Sequence, residues 1–189
     1  MNSKSRSSNA QVGKLNFWGK YAHRIQEDKK EWIYEQYLSN DVLYIYCDTS
    51  IATEKGKGAI ACTYVMNGKI IVKSQLVYLP NKMKSSNIYG ELKALNFALS
   101  HFHKYIGTGS EVVIYSDVST IGFIMEDVFE LKEDELEKIK KETHRMYLQI
   151  IQSNVNLNLS IKYLVKDLQT HNSFYKSAHN TARKLLNKD

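Results

Sequence analysis

The sequence predicts an α/β domain built on a mixed sheet with helices on both faces. Three observations carry this. A β-meander centred on Asn67-Gly68 comes first, strand and helix patterns alternate after it, and the apolar strands end beside acidic residues rather than turn residues alone. The element order reads β-β-β-α-β-α-α-β-α, with an N-terminal helical extension ahead of it.

The elements follow in chain order. Residues 1–13 are rich in Ser, Asn and Lys and are expected to be disordered. Residues 14–40 form the extension. Trp18, Tyr21, Ala22, Ile25, Trp32, Ile33 and Tyr37 recur there at helical spacing, broken by the charged stretch Gln26 to Glu31, which predicts one or two helices. The main domain covers 41–189. Its first strand is expected at 42–48, followed by a Gly- and Lys-containing loop from Thr49 to Gly58. Strands at 59–66 and 69–79 flank Asn67-Gly68, a pair suited to a tight hairpin turn, and Pro80 ends the meander.

A helix is expected at about 88–104, with Glu91, Leu95, Ala98 and Phe102 on one face. A strand at 111–117 leads into a short helix that Ser119 or Thr120 is placed to cap. A long helix at 133–153 begins acidic and turns basic, as the helix dipole favours. A strand at 157–166 and a helix at 172–187 close the chain. Lys138 to Lys141 and the acids of 126–137 read as a solvated helix face.

Composition narrows the function classes. The chain has 189 residues, ordinary apolar content and a net charge of +6, which permits a polyanionic partner without demanding one. No apolar run approaches membrane-spanning length and the N-terminus lacks a signal-peptide core, so no membrane partner and a cytoplasmic location are expected. Cys47 and Cys62 lie in strands without metal-ligand spacing and read as small core residues. The Gly56-Lys57-Gly58 loop lacks the rest of a nucleotide-binding P-loop. The thirteen tyrosines fall mostly at core spacing. Trp18 and Trp32 read as docking residues of the extension.

The informative residues are acids. Asp48 ends one apolar strand pattern, Asp117 ends another, and Glu91 opens the apolar helix. Two strands and a helix can deliver these three carboxylates to one place, where they suit a hard cation such as Mg²⁺. Each acid alone is equally an ordinary solvated loop residue; jointly, in this context, they read as a metal site.

These motifs, taken in order, resemble the ribonuclease H family. Asp48-Thr49-Ser50 with the small-residue stretch Gly56-Lys57-Gly58-Ala59 is similar to that family's Asp-Gly-Ser and second strand. Ser86-Asn87-Ile88-Tyr89-Gly90-Glu91-Leu92 resembles its first helix start, Tyr115-Ser116-Asp117-Val118-Ser119 its Thr-Asp-Ser strand end, and Ala178-His179-Asn180-Thr181-Ala182-Arg183 its terminal helix. The resemblance covers about residues 41–188. It implies a five-stranded mixed sheet of order 3-2-1-4-5. It also implies an endonuclease that cuts the RNA strand of RNA/DNA hybrids with two Mg²⁺ or Mn²⁺ ions about 3.5–4 Å apart.

Residue by residue, the resemblance makes Asp48 the ligand shared by both ions. Glu91 and Asp117 hold one, and the fourth position, usually Asp, falls on His179. A neutral imidazole there removes a negative charge and favours the softer Mn²⁺. His171 matches the family's mobile histidine, although it lies closer to the last helix than usual. Asn87 and the backbone near Ser86 and Gly90 match positions that read the RNA 2′-hydroxyl, Ser50 lies close by, and Lys55 and Lys57 are placed for phosphate. The chain departs from some members in having no basic, tryptophan-rich protrusion after the fourth strand. That stretch is acidic here (Glu126, Asp127, Glu130, Glu133, Asp134, Glu135). Two alternatives stand beside the hybrid nuclease. One is a non-catalytic module of the same fold that takes nucleic acid or a protein partner through the N-terminal helices. The other is a nuclease of the same superfamily that acts on DNA.

Overall fold

The computed structural model describes residues 15–126 and 131–187. The stretch 1–13 expected to be disordered, and the acids Asp127 and Glu130, lie outside the described residues. Five strands form one sheet: β1 (Val42–Ala52), β2 (Lys57–Met66), β3 (Lys69–Tyr78), β4 (Glu111–Ser116) and β5 (Asn158–Tyr163), in the order β3-β2-β1-β4-β5. β1, β2 and β3 pair antiparallel, whereas β1–β4 and β4–β5 are parallel. The meander turns at Asn67 and Gly68, both with positive φ (49° and 69°), the backbone that this residue pair adopts with least strain.

The helices are α1 (Glu27–Leu38), α2 (Asn87–His101), α3 (Ile121–Met125), α4 (Asp134–Ser153), α5 (Lys166–Gln169) and α6 (Ser173–Leu186). Strand alternation sorts the two layers. Leu43, Ile45 and Cys47 of β1 face the main core with Leu92, Leu95 and Ala98 of α2 and Ile139 of α4. Tyr46 faces the other way, with Phe174 of α6 and Ile33 of α1. Ala59 and Ala61 of β2 meet Ala178 and Ala182 of α6, so four small side chains let this helix lie close on the sheet. Cys47 and Cys62 are buried and free, opposite one another on β1 and β2.

The extension docks on the α6 side. Phe17 packs edge-on against Phe174 at 5.4 Å and Trp32 against Tyr115 at 6.1 Å. The Trp18 indole donates to the His171 carbonyl at 2.7 Å. Gln36 of α1 is buried and accepts from the Tyr46 hydroxyl, a polar anchor that the sequence pattern did not single out.

Several expected boundaries shift. β1 runs four residues past Asp48, because Thr49, Ser50, Ile51 and Ala52 pair with Ile60, Ala59, Gly58 and Lys57. The expected loop shrinks to a turn at Thr53–Gly56, with Gly56 at φ 61°. β5 ends at Tyr163, and Lys166–Gln169 is a short helix. Thr120 occupies the cap position of α3, but its side chain makes no capping hydrogen bond. The solvated face expected at Lys138–Lys141 needs correction at Lys140, which is buried beside Glu137 (3.1 Å). Leu136, Ile139, Lys140 and Thr143 form the inward stripe of α4, and helical spacing carries Lys140 into it.

Candidate active site

The parallel pairing of β1 with β4 ends at Tyr46–Tyr115, while the β1–β2 ladder continues. Beyond that point β1 loses one neighbour at the carboxyl end of β4, the end of an open α/β sheet at which ligands bind. Continuing the register sets Asp117 opposite Asp48, with both side chains on the α6 face. Glu91 comes from the other layer, at the start of the second turn of α2. Ser86 caps that helix by accepting from the Tyr89 amide at 3.3 Å. The Ser116 hydroxyl donates to Glu91 Oε2 at 3.1 Å and so ties the helix to the end of β4.

Two residues of α6 complete the site. His179 Nδ1 stands 3.2 Å from Asp48 Oδ2, and the Tyr175 hydroxyl donates to Asp117 Oδ2 at 3.0 Å. Tyr175 was not singled out from the sequence. Its signal was its place one helical turn before His179, where i and i+4 side chains are neighbours. The two rings stack with centroids 6.1 Å apart.

Burial sets the electrostatics. Asp48 is 2% exposed and Glu91 3%. Burial pushes the Asp48 carboxyl up to about 6; the His179 imidazole pulls it back and Asp117 pushes it further. Glu91 rises well above the usual carboxylate range, first through burial and then through Asp117 and Asp48, with the Ser116 bond opposing. Burial and then the charges of Asp48 and Asp117 raise the Tyr175 hydroxyl too, which holds its proton as a donor. Among the described residues no lysine or arginine makes a salt bridge to any of the three acids; the only such contact is that of His179 with Asp48.

The other expected site residues scatter. Ser50 shares the face of Asp48 two residues on. Lys55 and Lys57 lie in and just after the turn beyond Ala52, at the far end of the β1–β2 hairpin. Asn87 is exposed at the start of α2, and Ser86 is engaged as its cap. Gly90 is buried against Thr49: a Cβ at position 90 would lie 2.7 Å from Thr49 Oγ1 and 2.8 Å from its Cγ2. The bulk at Thr49 and the missing side chain at Gly90 are therefore one packing solution. The His171 carbonyl accepts from the Trp18 indole, and His171 lines a cavity beside the extension.

A five-stranded 3-2-1-4-5 sheet with acids at the ends of its parallel strands is the ribonuclease H-like architecture. The family model for RNase H matches residues 40–184, and the chain belongs to that family. No curated relative matches the sequence. Among solved structures, RNase H1 from the halophilic archaeon Halobacterium salinarum NRC-1 is 13% identical, with a TM-score of 0.58 over 78% of this chain and 99% of that one. LC11-RNase H1, isolated from compost by a metagenomic approach, is 19% identical with a TM-score of 0.55 over 78% and 99%. The same protein in complex with an RNA/DNA hybrid is 20% identical with a TM-score of 0.53 over 76% and 99%. At these identities the likeness is one of fold. No helix among the described residues is long and apolar enough to cross a membrane.

Proposed function

We propose that this chain is a divalent-metal-dependent endonuclease that hydrolyses the RNA strand of RNA/DNA hybrids at Asp48, Glu91 and Asp117, with His179 at the fourth position of the site. The observation that carries this is the burial of mutually repelling carboxylates that, among the described residues, form no salt bridge with lysine or arginine. Such a cluster costs free energy unless it takes up protons or a cation. Hard oxygen donors at the carboxyl end of parallel strands fit Mg²⁺ or Mn²⁺. Among the described residues no group of three or more Asp, Glu, His or Cys side chains is placed to hold one ion. One or two of these carboxylates therefore share each ion with waters and substrate phosphate in this reading, as Mg²⁺ sites commonly do. When bound, the metal would neutralise phosphate charge and activate water.

The chain's own residues have distinct parts in this reading. Asp48 holds both carboxylate oxygens against His179 Nδ1, at 3.3 and 3.2 Å. Ser116 engages one Glu91 oxygen and orients the other. Tyr175 aims Asp117 by donating to one of its oxygens. Ser50 and Asn87 border the path of a minor groove, where a 2′-hydroxyl is the recognition mark of RNA. RNA/DNA hybrid binding by the neighbouring LC11 enzyme agrees with this substrate.

One observation favours a second reading, a binding module without chemistry. His179 and Tyr175 already engage Asp48 and Asp117, and a metal must compete with both contacts. Labelled hybrid, double-stranded RNA and DNA incubated with Mg²⁺ and Mn²⁺ separately decide the matter. Cleavage confined to the RNA strand of the hybrid, and lost in Asp48→Asn, is the expected result. Tight hybrid binding with no cleavage under either metal would establish the binding module, and cleavage of all-DNA substrates would establish the DNA nuclease.

A further inference from the structure

A second cavity lies beside the site, where the extension meets the start of α6. Its volume is about 350 Å³, within the range of small-ligand sites, and Trp18, Tyr21, Arg24, His171, Ser173 and Lys176 supply most of its wall. The chemistry of that wall is specific. Trp18 is fixed by its indole bond to the His171 carbonyl, and the Ser173 hydroxyl donates to the Phe17 carbonyl at 3.4 Å, so the extension and the α6 start hold one geometry. Tyr21 is half exposed, and two cations stand over its ring, Lys20 Nζ at 5.3 Å and Arg24 Cζ at 5.5 Å from its centroid. Among the described residues no acidic one lines the cavity, and neither Arg24 nor Lys176 makes a salt bridge. An aromatic wall with unneutralised cations at its rim is the combination that binds single-stranded nucleic acid: bases stack on rings, and phosphates meet Arg and Lys.

Position makes the pocket part of the nuclease surface. Lys176 follows Tyr175 and precedes His179 by three residues, so α6 carries both a wall residue of the pocket and the two side chains that touch Asp117 and Asp48. We infer that this pocket binds an unpaired nucleotide of a strand that continues past the hybrid at the carboxylates, with the base on Trp18 and Tyr21 and the phosphate on Arg24 and Lys176. The inference rests on the proposed nucleic-acid reading of the main site and adds to it a preference for hybrids that carry a single-stranded overhang.

The test compares a blunt RNA/DNA hybrid, the same hybrid with a five-nucleotide single-stranded thymidine tail at either end, and the free thymidine oligonucleotide. Binding to the full chain is followed by fluorescence anisotropy in EDTA. Hybrid cleavage with Mn²⁺ is measured separately. For the wild type, a tail should tighten binding by at least about fivefold. Tyr21→Ala and the double variant Arg24→Ala with Lys176→Ala should each abolish that advantage. The double variant should also flatten the salt dependence of oligonucleotide binding by about 0.7 per lost phosphate contact. Blunt-hybrid affinity and cleavage should stay within about twofold of wild type, a readout that damage to the carboxylate site would move. Equal affinity for tailed and blunt hybrids in the wild type overturns the inference, even if cleavage is normal. Equally tight binding of a poly-glutamate peptide overturns it too, because the pocket is then a general anion site. Loss of cleavage with a tail advantage that still depends on Tyr21 would leave the pocket supported and refute the nuclease reading alone.

Discussion

Replacing Asp48 by Asn should stabilise the metal-free protein. Asp48 is 2% exposed and its carboxyl is pushed from its ordinary 3.8 up to about 6, chiefly by burial. A rise of that size corresponds to about 3 kcal/mol against the ionised form. The sign follows from proton linkage. The folded state holds this proton more tightly than the unfolded state, so the group favours folding most below pH 3.8. That contribution is lost as pH rises through about 6. At pH 8 wild-type Asp48 is ionised and carries the full cost, whereas Asn is neutral at every pH. That cost is already net of the attraction between the carboxylate and the His179 imidazole, the largest opposing influence, so the gain should be up to about 3 kcal/mol at pH 8. It should shrink below pH 6 and approach zero near pH 4. Urea unfolding in EDTA at pH 8 and pH 4, followed by circular dichroism, measures both limits. Millimolar Mg²⁺ should reverse the ranking by stabilising the wild type more than the variant. An Asn variant no more stable than wild type at pH 8, or equally stabilised at both pH values, would show that Asp48 is not held as a costly buried anion. The variant should also be inactive, so activity and stability move in opposite directions.

Three further perturbations test the neighbourhood. Gly90→Ala should destabilise the fold by about 1–2 kcal/mol, because the clash with the Thr49 side chain outweighs the better helix propensity of Ala. Adding Thr49→Gly should recover most of that loss, and additive effects in the double-mutant cycle would rule out the contact as the cause. Tyr175→Phe removes a hydrogen bond to a carboxylate and should cost about 1–3 kcal/mol in urea unfolding at neutral pH; no loss would mean that the Asp117 contact is absent in solution. His179→Asp should lower metal-free stability at pH 8 by placing a fourth negative charge beside Asp48, while raising Mg²⁺ affinity and Mg²⁺-supported hybrid cleavage relative to Mn²⁺. Unchanged Mg²⁺ titrations, by calorimetry and by cleavage rate, would place the histidine outside the metal site.

The sequence by itself determined the order of the elements, the Asn67-Gly68 hairpin and the acids worth watching. Each of these is local: strand alternation, helical spacing, a turn that needs positive φ at two residues, and an acid that breaks an apolar pattern are all visible within a few residues. The tertiary structure decided the rest. Local pattern could not show that β1 continues through Ala52, because it is pairing with β2 that holds residues 49–52 extended. It could not bury Lys140, whose place in the α4 stripe becomes inward only once α4 packs on the core. His171 matched a motif but was drawn to the extension by Trp18, and Tyr175 joined the acids because α6 rests on alanines close to the sheet. Nor could spacing along the chain say that Thr49 fills the space which Gly90 leaves. These outcomes depend on contacts between residues far apart in sequence, and only the packed chain sets their distances, their desolvation and therefore their charge states.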